Sequence, residues 1–271
     1  MLKPDVITEL QDMRYLEWTR IRKSSGTAGS LLKSQSIGGE GRIYYKLSGC
    51  DSSSAITGHE SVNEIIADRL LTVLGLDHLN YQLIHALVNF DDSDHETWLC
   101  ASEDFKQSGD SKMPLDDYYD MHKEKGEKPI DFCIRMGWES YIYEMIVVDY
   151  LILNRDRHGG NIEILKNRKT GLVRPAPLFD HGLSLLCTCL SDEAVKKFDV
   201  MADYDVQSFV GSRSAFDNLS LIPKDKRPKL RTLQERDMEV ILKDLDEAIS
   251  REHLEKIRDM IWRRWQVYEN I

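Results

Sequence analysis

Apolar positions along the chain follow two regimes. Up to about residue 100 they alternate or gather in short runs between turn formers, and beyond it they recur mainly at helical spacing. In residues 42–47, RIYYKL, Ile43, Tyr45 and Leu47 alternate with Arg42, Tyr44 and Lys46, which is the period of a strand with one buried face. Residues 59–74 carry Val62, Ile65, Ile66, Leu70, Val73 and Leu74 on a helical period, and Gly75 is placed to end that helix. Residues 81–88 and 97–101 read as two more strands, joined by the polar turn NFDDSDHE, and Leu31 and Leu32 suggest another short one. Small-residue turns are expected over residues 24–30, SSGTAGS, and at Gly38, Gly39 and Gly41.

The second region differs. Residues 104–128 are polar and rich in turn formers, so loops and a short helix are expected there. Residues 138–153, WESYIYEMIVVDYLIL, form a strongly apolar helix that should centre this region and stop near Asn154. Residues 232–268 predict one or two long helices, with Thr232 and Glu235 spaced as a capping box. The pattern predicts an α+β chain with a division near residue 100: residues 1–100 as sheet plus one helix, and residues 101–271 as a mainly helical unit containing a β-hairpin.

Charge and cysteine content narrow the partners. The net charge of -10 makes the chain a poor non-specific binder of nucleic acid or anionic lipid. The densest basic stretch, residues 224–231, reads as a solvated loop. No apolar run reaches membrane-spanning length, and the first residues lack the apolar stretch of a signal peptide. The expectation is a cytoplasmic protein with no membrane and no direct nucleic-acid partner. Five scattered cysteines, an odd number, argue for reduced thiols rather than a disulfide framework.

The informative chemistry lies in residues 153–182, LNRDRHGGNIEILKNRKTGLVRPAPLFDHG. A buried helix runs into Asp156 and Asn161, and a strand, a turn and a second extended segment then lead to Asp180. Antiparallel pairing would bring Asn161 and Asp180 to the two feet of one hairpin. Their hard oxygen ligands suit magnesium, which takes its remaining ligands from water and phosphate. The spacing of Asp156 and Asn161 is that of a kinase catalytic loop, D-x-x-x-x-N, and Asp180-His181-Gly182 stands where such enzymes carry D-F-G. Taken singly, Asp156 is better explained as an ion-pair partner of Arg155 or Arg157, and Asp180 as a turn residue. Their joint spacing reverses those odds.

The first region supplies the complementary groups. Lys46, on the predicted strand, can hold nucleotide phosphates, and a glutamate on the next helix can hold the lysine. Glu64 is the leading candidate and Glu60, one turn earlier, the runner-up. Ser24, Ser25, Gly26, Thr27, Ala28 and Gly29 form a loop whose backbone N–H groups could approach an anion.

Together these residues resemble the HipA-like kinases, a branch of the phosphatidylinositol 3/4-kinase-like superfamily. The resemblance rests on N-x-D-x-H-x-x-N at Asn154, Asp156, His158 and Asn161, on P-L-F-D at residues 177–180, and on the loop SSGTAGS. It implies a two-lobed protein-kinase-like fold and a serine/threonine protein kinase that uses ATP and Mg2+. Asp156 would be the base, Asn161 and Asp180 the metal ligands, and Lys46 the phosphate-binding cation. Residues 98–102 would be the hinge, with the backbone of Leu99, Cys100 and Ala101 reading adenine. Members phosphorylate serine or threonine in proteins, often in their own phosphate-binding loop, which makes Ser24, Ser25, Thr27 and Ser30 candidate acceptors. Some are toxins restrained by a partner, which implies an antitoxin-like regulator.

One departure is Gly160, where many members carry lysine. It leaves His158 or Arg157 to neutralise the transferring group, with His158 equally suited to orienting the Asp156 loop. Two other functions fit the same residues. One is a lipid kinase of phosphoinositide type, and the other is a nucleotide-binding regulatory pseudokinase that does not catalyse.

Overall fold

The computed structural model of the chain describes residues 4–19, 31–38, 41–50 and 56–271. The phosphate-binding loop expected at Ser24, Ser25, Gly26, Thr27, Ala28 and Gly29 lies outside these residues, as does Ser30.

Five strands form one sheet in the order β1-β4-β5-β3-β2. They are β1 (Val6–Asp12), β2 (Lys33–Gly38), β3 (Gly41–Leu47), β4 (Tyr81–Phe90) and β5 (Ser93–Glu103). β4 and β5 form a longer hairpin than the sequence pattern suggested. The polar segment expected as an eight-residue turn continues the ladder down to the pair Phe90 and Ser93. Only Asp91 and Asp92 turn the chain, both with positive φ (53° and 58°), the twist that two-residue hairpins favour. β1 was not foreseen. Its sequence, VITELQD, has no clean apolar alternation, and it is a parallel edge strand on β4 with an irregular register between Ile7 and Gln11.

The sheet is covered on both faces. Tyr45, Leu47, Ile84, Ala86, Val88, Leu99 and Ala101 pack on one side with Met13 and Leu16, which follow β1. The opposite face receives α1 (Glu60–Leu74), which ends at Gly75 in the left-handed conformation (φ 76°) as the sequence predicts. Every residue of α1 except Thr72 is buried. The side chains of Glu60, Asn63, Glu64, Asp68 and Arg69 are therefore out of water, and each needs a polar partner.

The remaining elements follow, and most of them pack with α1 in the larger core. They are β6 (Asp110–Pro114), α2 (Leu115–His122), α3 (Pro129–Arg135), α4 (Glu139–Leu151), β7 (Asp156–Arg157), β8 (Glu163–Asn167), β9 (Val173–Pro175), α5 (Asp192–Lys197), β10 (Gln207–Ser208), α6 (Ala215–Leu219), α7 (Asp237–Ile241) and α8 (Arg251–Asn270). The predicted hairpin is β8–β9, with Ile164 opposite Pro175, and β6 adds a third strand through Pro114 opposite Glu163. Residues 104–128 thus hold the short helix expected, α2, and a strand that was not, β6. The Thr232–Glu235 capping box does not form. α7 begins only at Asp237, and the long terminal helix α8 is capped instead by Ser250, whose side chain accepts from the His253 N–H. Among the described residues no helix is long and apolar enough to cross a membrane.

Candidate active site

α4 delivers its last turn into a loop held by a buried polar network. Leu153 takes a left-handed φ of 49°, an uncommon conformation for a leucine, which turns the chain out of the helix. Asn154, 1% exposed, donates to Asp149 Oδ1 (2.9 Å) and accepts the Asp156 N–H at 3.1 Å. Asp149 also receives Arg157, whose Nε lies 3.0 Å from Oδ2 and Nη2 3.0 Å from Oδ1. Arg157 is 1% exposed and spends Nη1 on the carbonyls of Asn161 (3.2 Å) and Phe179 (2.8 Å). It therefore ties the loop to the end of the hairpin. This corrects the sequence expectation for Arg157: its guanidinium is enclosed in protein and committed to internal acceptors, so it is not placed to meet a phosphoryl group.

Asp156 stands at the mouth of this network with 30% of its side chain exposed. The Asn161 amide donates to its carbonyl (2.8 Å) and reaches its Oδ2 at 3.3 Å. His158 Nε2 lies 3.7 Å from its Oδ1. The Asp156 carboxyl titrates above the usual range. Burial is the main cause; the nearby His158 opposes it and the negative charge of Asp180 reinforces it.

His158 and Gly160 form a matched pair. His158 Nδ1 accepts the Gly160 N–H at 3.0 Å, so the proton of the neutral ring sits on Nε2, the nitrogen facing Asp156. A Cβ on residue 160 would fall 2.8 Å from His158 Cε1. A side chain there, lysine included, must displace the imidazole. The glycine that departs from the family pattern is thus the residue that lets His158 turn back on the loop.

The other foot of the hairpin ends at Asp180, again left-handed (φ 59°). Lys46 on β3 forms an ion pair with Asp180, and its Nζ lies 2.9 Å from Glu64 Oε1 on α1. Glu64 is fully buried, and its Oε2 accepts the His181 N–H at 2.8 Å. Glu60 takes another role: its Oε2 accepts the Gly49 N–H at 2.9 Å, and any Cβ on Gly58 would come within 2.0 Å of that oxygen. Of the two glutamates, Glu64 is the one on Lys46. Burial alone would lower the Lys46 pKa, but the carboxylates of Asp180 and Glu64 outweigh it and hold the ammonium charged.

Two supporting residues went unnoticed in the sequence. Asn63 donates to the carbonyls of Gly182 (2.9 Å) and Ser184 (3.0 Å), and the Tyr81 hydroxyl receives the Asp180 N–H at 3.3 Å. Neither carries a motif. Asn63 could have been suspected as a polar residue on the apolar stripe of α1.

The hinge expectation needs correction. Leu99, Cys100 and Ala101 lie inside β5, paired with Leu47, Lys46 and Tyr45 of β3 on one side and with β4 on the other. Their backbone groups belong to two ladders, so they have none to offer a base. The chain leaves the sheet only after Glu103. Cys100 still matters to the site, because its side chain shares the face of Lys46, and burial raises its thiol to about 12.

The donor set fits a hard cation. Asn161 turns its nitrogen toward Asp156, which leaves Oδ1 without a hydrogen bond among the described residues. Asp180 supplies a carboxylate from the other foot. No group of three or more His, Cys, Asp and Glu forms a closed metal cage among the described residues. Two oxygen donors with room for phosphate ligands are what magnesium accepts.

The fold is similar to that of a kinase of known structure. The chain superposes on the crystal structure of the Helicobacter pylori proinflammatory kinase CtkA with a TM-score of 0.62 and 16% identity, covering 94% of this chain and 93% of that one. HipA of Shewanella oneidensis MR-1, solved with HipB and operator DNA, matches at a TM-score of 0.48 and 13% identity, over 91% of this chain and 65% of that one. No family model matches the sequence, and the comparison with curated proteins found no match. The kinase fold expected from the sequence resemblance is borne out by the first of these structures.

Proposed function

We propose that the chain is an ATP- and magnesium-dependent serine/threonine protein kinase of HipA-like type. The observation that carries this reading is one ammonium, Lys46, held between Glu64 and Asp180, with Asp156 near enough to feel the charge of Asp180 and bonded to the Asn161 amide. Lys46 binds the nucleotide phosphates, and Glu64 fixes its position. Asn161 and Asp180 would hold Mg2+, which when bound neutralises charge on the phosphate oxygens. Asp156 orients the acceptor hydroxyl and takes its proton. The hydroxyl oxygen forms the new bond to the γ-phosphorus while the bond to the β–γ bridging oxygen breaks, and ADP leaves with that electron pair. His158 presents Nε2–H toward Asp156 and steadies the carboxylate. The family resemblance also implies self-modification in the loop at residues 24–30 and a protein regulator of antitoxin kind.

Titration calorimetry with ATP tests the reading. Wild type is expected to bind ATP in the presence of Mg2+, and Asp180→Ala to lose at least tenfold in affinity. Equal affinity in the two proteins would overturn it. A panel of protein and phosphoinositide acceptors separates protein kinase from lipid kinase, and labelling of protein alone is expected.

A further inference from the structure

Glu163 is a buried acid near the site that the proposed mechanism does not use. Ile162, just before β8, and Ile164 on it are buried in the large core. Glu163, between them, points to the opposite face of the three-stranded sheet, the face it shares with Lys112, which stands opposite Leu165 and so diagonal to it on β6. Lys112 Nζ reaches Glu163 Oε1 at 3.1 Å and stands 6.0 Å from the centre of the Phe105 ring. Phe105 in turn packs on Phe179, centroids 5.6 Å apart, and Phe179 directly precedes Asp180. Phe105 lies in the segment that leaves the sheet after β5.

One oxygen of this carboxylate is unaccounted for. Glu163 is 5% exposed, and its Oε2 is shielded from solvent with no hydrogen-bond partner among the described residues. A buried acceptor without a donor is costly and calls for an explanation. The Phe105 ring beside Lys112 packs on Phe179, so an aromatic surface adjoins the Lys112–Glu163 pair, and a carboxylate at such a place accepts only from N–H or O–H.

We infer that Glu163 is a specificity residue that accepts a hydrogen bond from the exocyclic amine of the adenine base, with Lys112 holding the carboxylate in place. This rests on the kinase reading above and adds to it a residue that chooses the base. Asn161, two positions earlier, faces the phosphate end, so one short segment addresses both ends of the nucleotide. Nothing in the kinase motif requires an acid at residue 163.

The test compares ATP with purine riboside triphosphate, which lacks only the 6-amino group. Wild type is expected to prefer ATP by about tenfold to a hundredfold, the range for a hydrogen bond to a charged group. Glu163→Met removes the acceptor at similar length and is expected to bring the two affinities together. The isosteric Glu163→Gln is expected to reduce the preference severalfold. The wild-type comparison needs no variant to fold: equal affinities there would overturn the inference and leave the kinase reading standing. So would an unchanged preference in folded Glu163→Met. Failure of wild type to bind either nucleotide would overturn the kinase reading, and this inference with it.

Discussion

Arg157 offers a measure of how tightly the site's scaffold is built. Arg157→Met keeps a long apolar stem but removes the guanidinium that serves Asp149, the Asn161 carbonyl and the Phe179 carbonyl. Asp149 has only 15% of its side chain exposed, so it would be left as a poorly hydrated charge. Breaking a buried ion pair from one side costs about 3–5 kcal/mol. The two orphaned carbonyls would add about 1 kcal/mol or more each, but neighbouring losses do not sum, and water can enter beside Asp149. The expected loss is therefore about 3–5 kcal/mol, against a total stability of about 5–15 kcal/mol for a typical domain. Urea unfolding reads it as a lower midpoint at unchanged slope. Arg157→Lys should recover less than half, because an ammonium cannot serve the three acceptors that the planar fork reaches. Adding Asp149→Leu to Arg157→Met should regain stability, because no unpaired charge remains. A loss below about 1 kcal/mol for Arg157→Met would refute the claim that this residue fastens the loop to the hairpin.

Other outcomes follow from the same geometry. Glu64→Gln should lower phosphotransfer at least tenfold with a smaller effect on folding, measured by ADP release beside thermal unfolding, because Lys46 keeps Asp180 but loses the partner that positions it. Gly160→Ala should cost about 1–3 kcal/mol by crowding His158, and adding His158→Ala should recover most of it in chemical denaturation. Because the Asp156 carboxyl is raised and the reaction needs it ionised, activity should fall with decreasing pH at a higher value than an ordinary aspartate gives, and a kcat profile of wild type reads this directly. His59, whose pKa is lowered from 6.5 to about 4 by burial and then by His253, binds its proton in the unfolded chain first. Stability should therefore decline as pH falls from about 6.5 to 4, and His59→Gln should flatten that decline in urea midpoints.

Much of the architecture was legible because periodicity and core agree. β3, α1, α4 and the β8–β9 hairpin bury the faces their apolar residues mark, and Gly75 ends α1 as its backbone freedom allows. β1 was hidden because an edge strand need not alternate cleanly, and β6 because its residues, DSKMP, carry turn chemistry while pairing with β8. The false capping box shows that spacing alone does not start a helix. At the site, Lys46, Glu64, Asp156, Asn161 and Asp180 stood out through motif and order along the chain. The hinge at Leu99, Cys100 and Ala101 was misplaced because strand length is set by pairing on both sides, which a single strand's sequence does not display. Arg157 was misread for a similar reason: its partners lie on α4 and past β9, and only the folded chain brings them to it.

The central claim is that this cluster transfers a phosphoryl group. Incubation with γ-labelled ATP and Mg2+, wild type beside Asp156→Asn, addresses it directly. Label on protein and stoichiometric ADP are expected from wild type, with at least a hundredfold loss in a variant that remains folded and binds ATP. Equal labelling by the two proteins, or none from a wild type that binds ATP, would contradict the account.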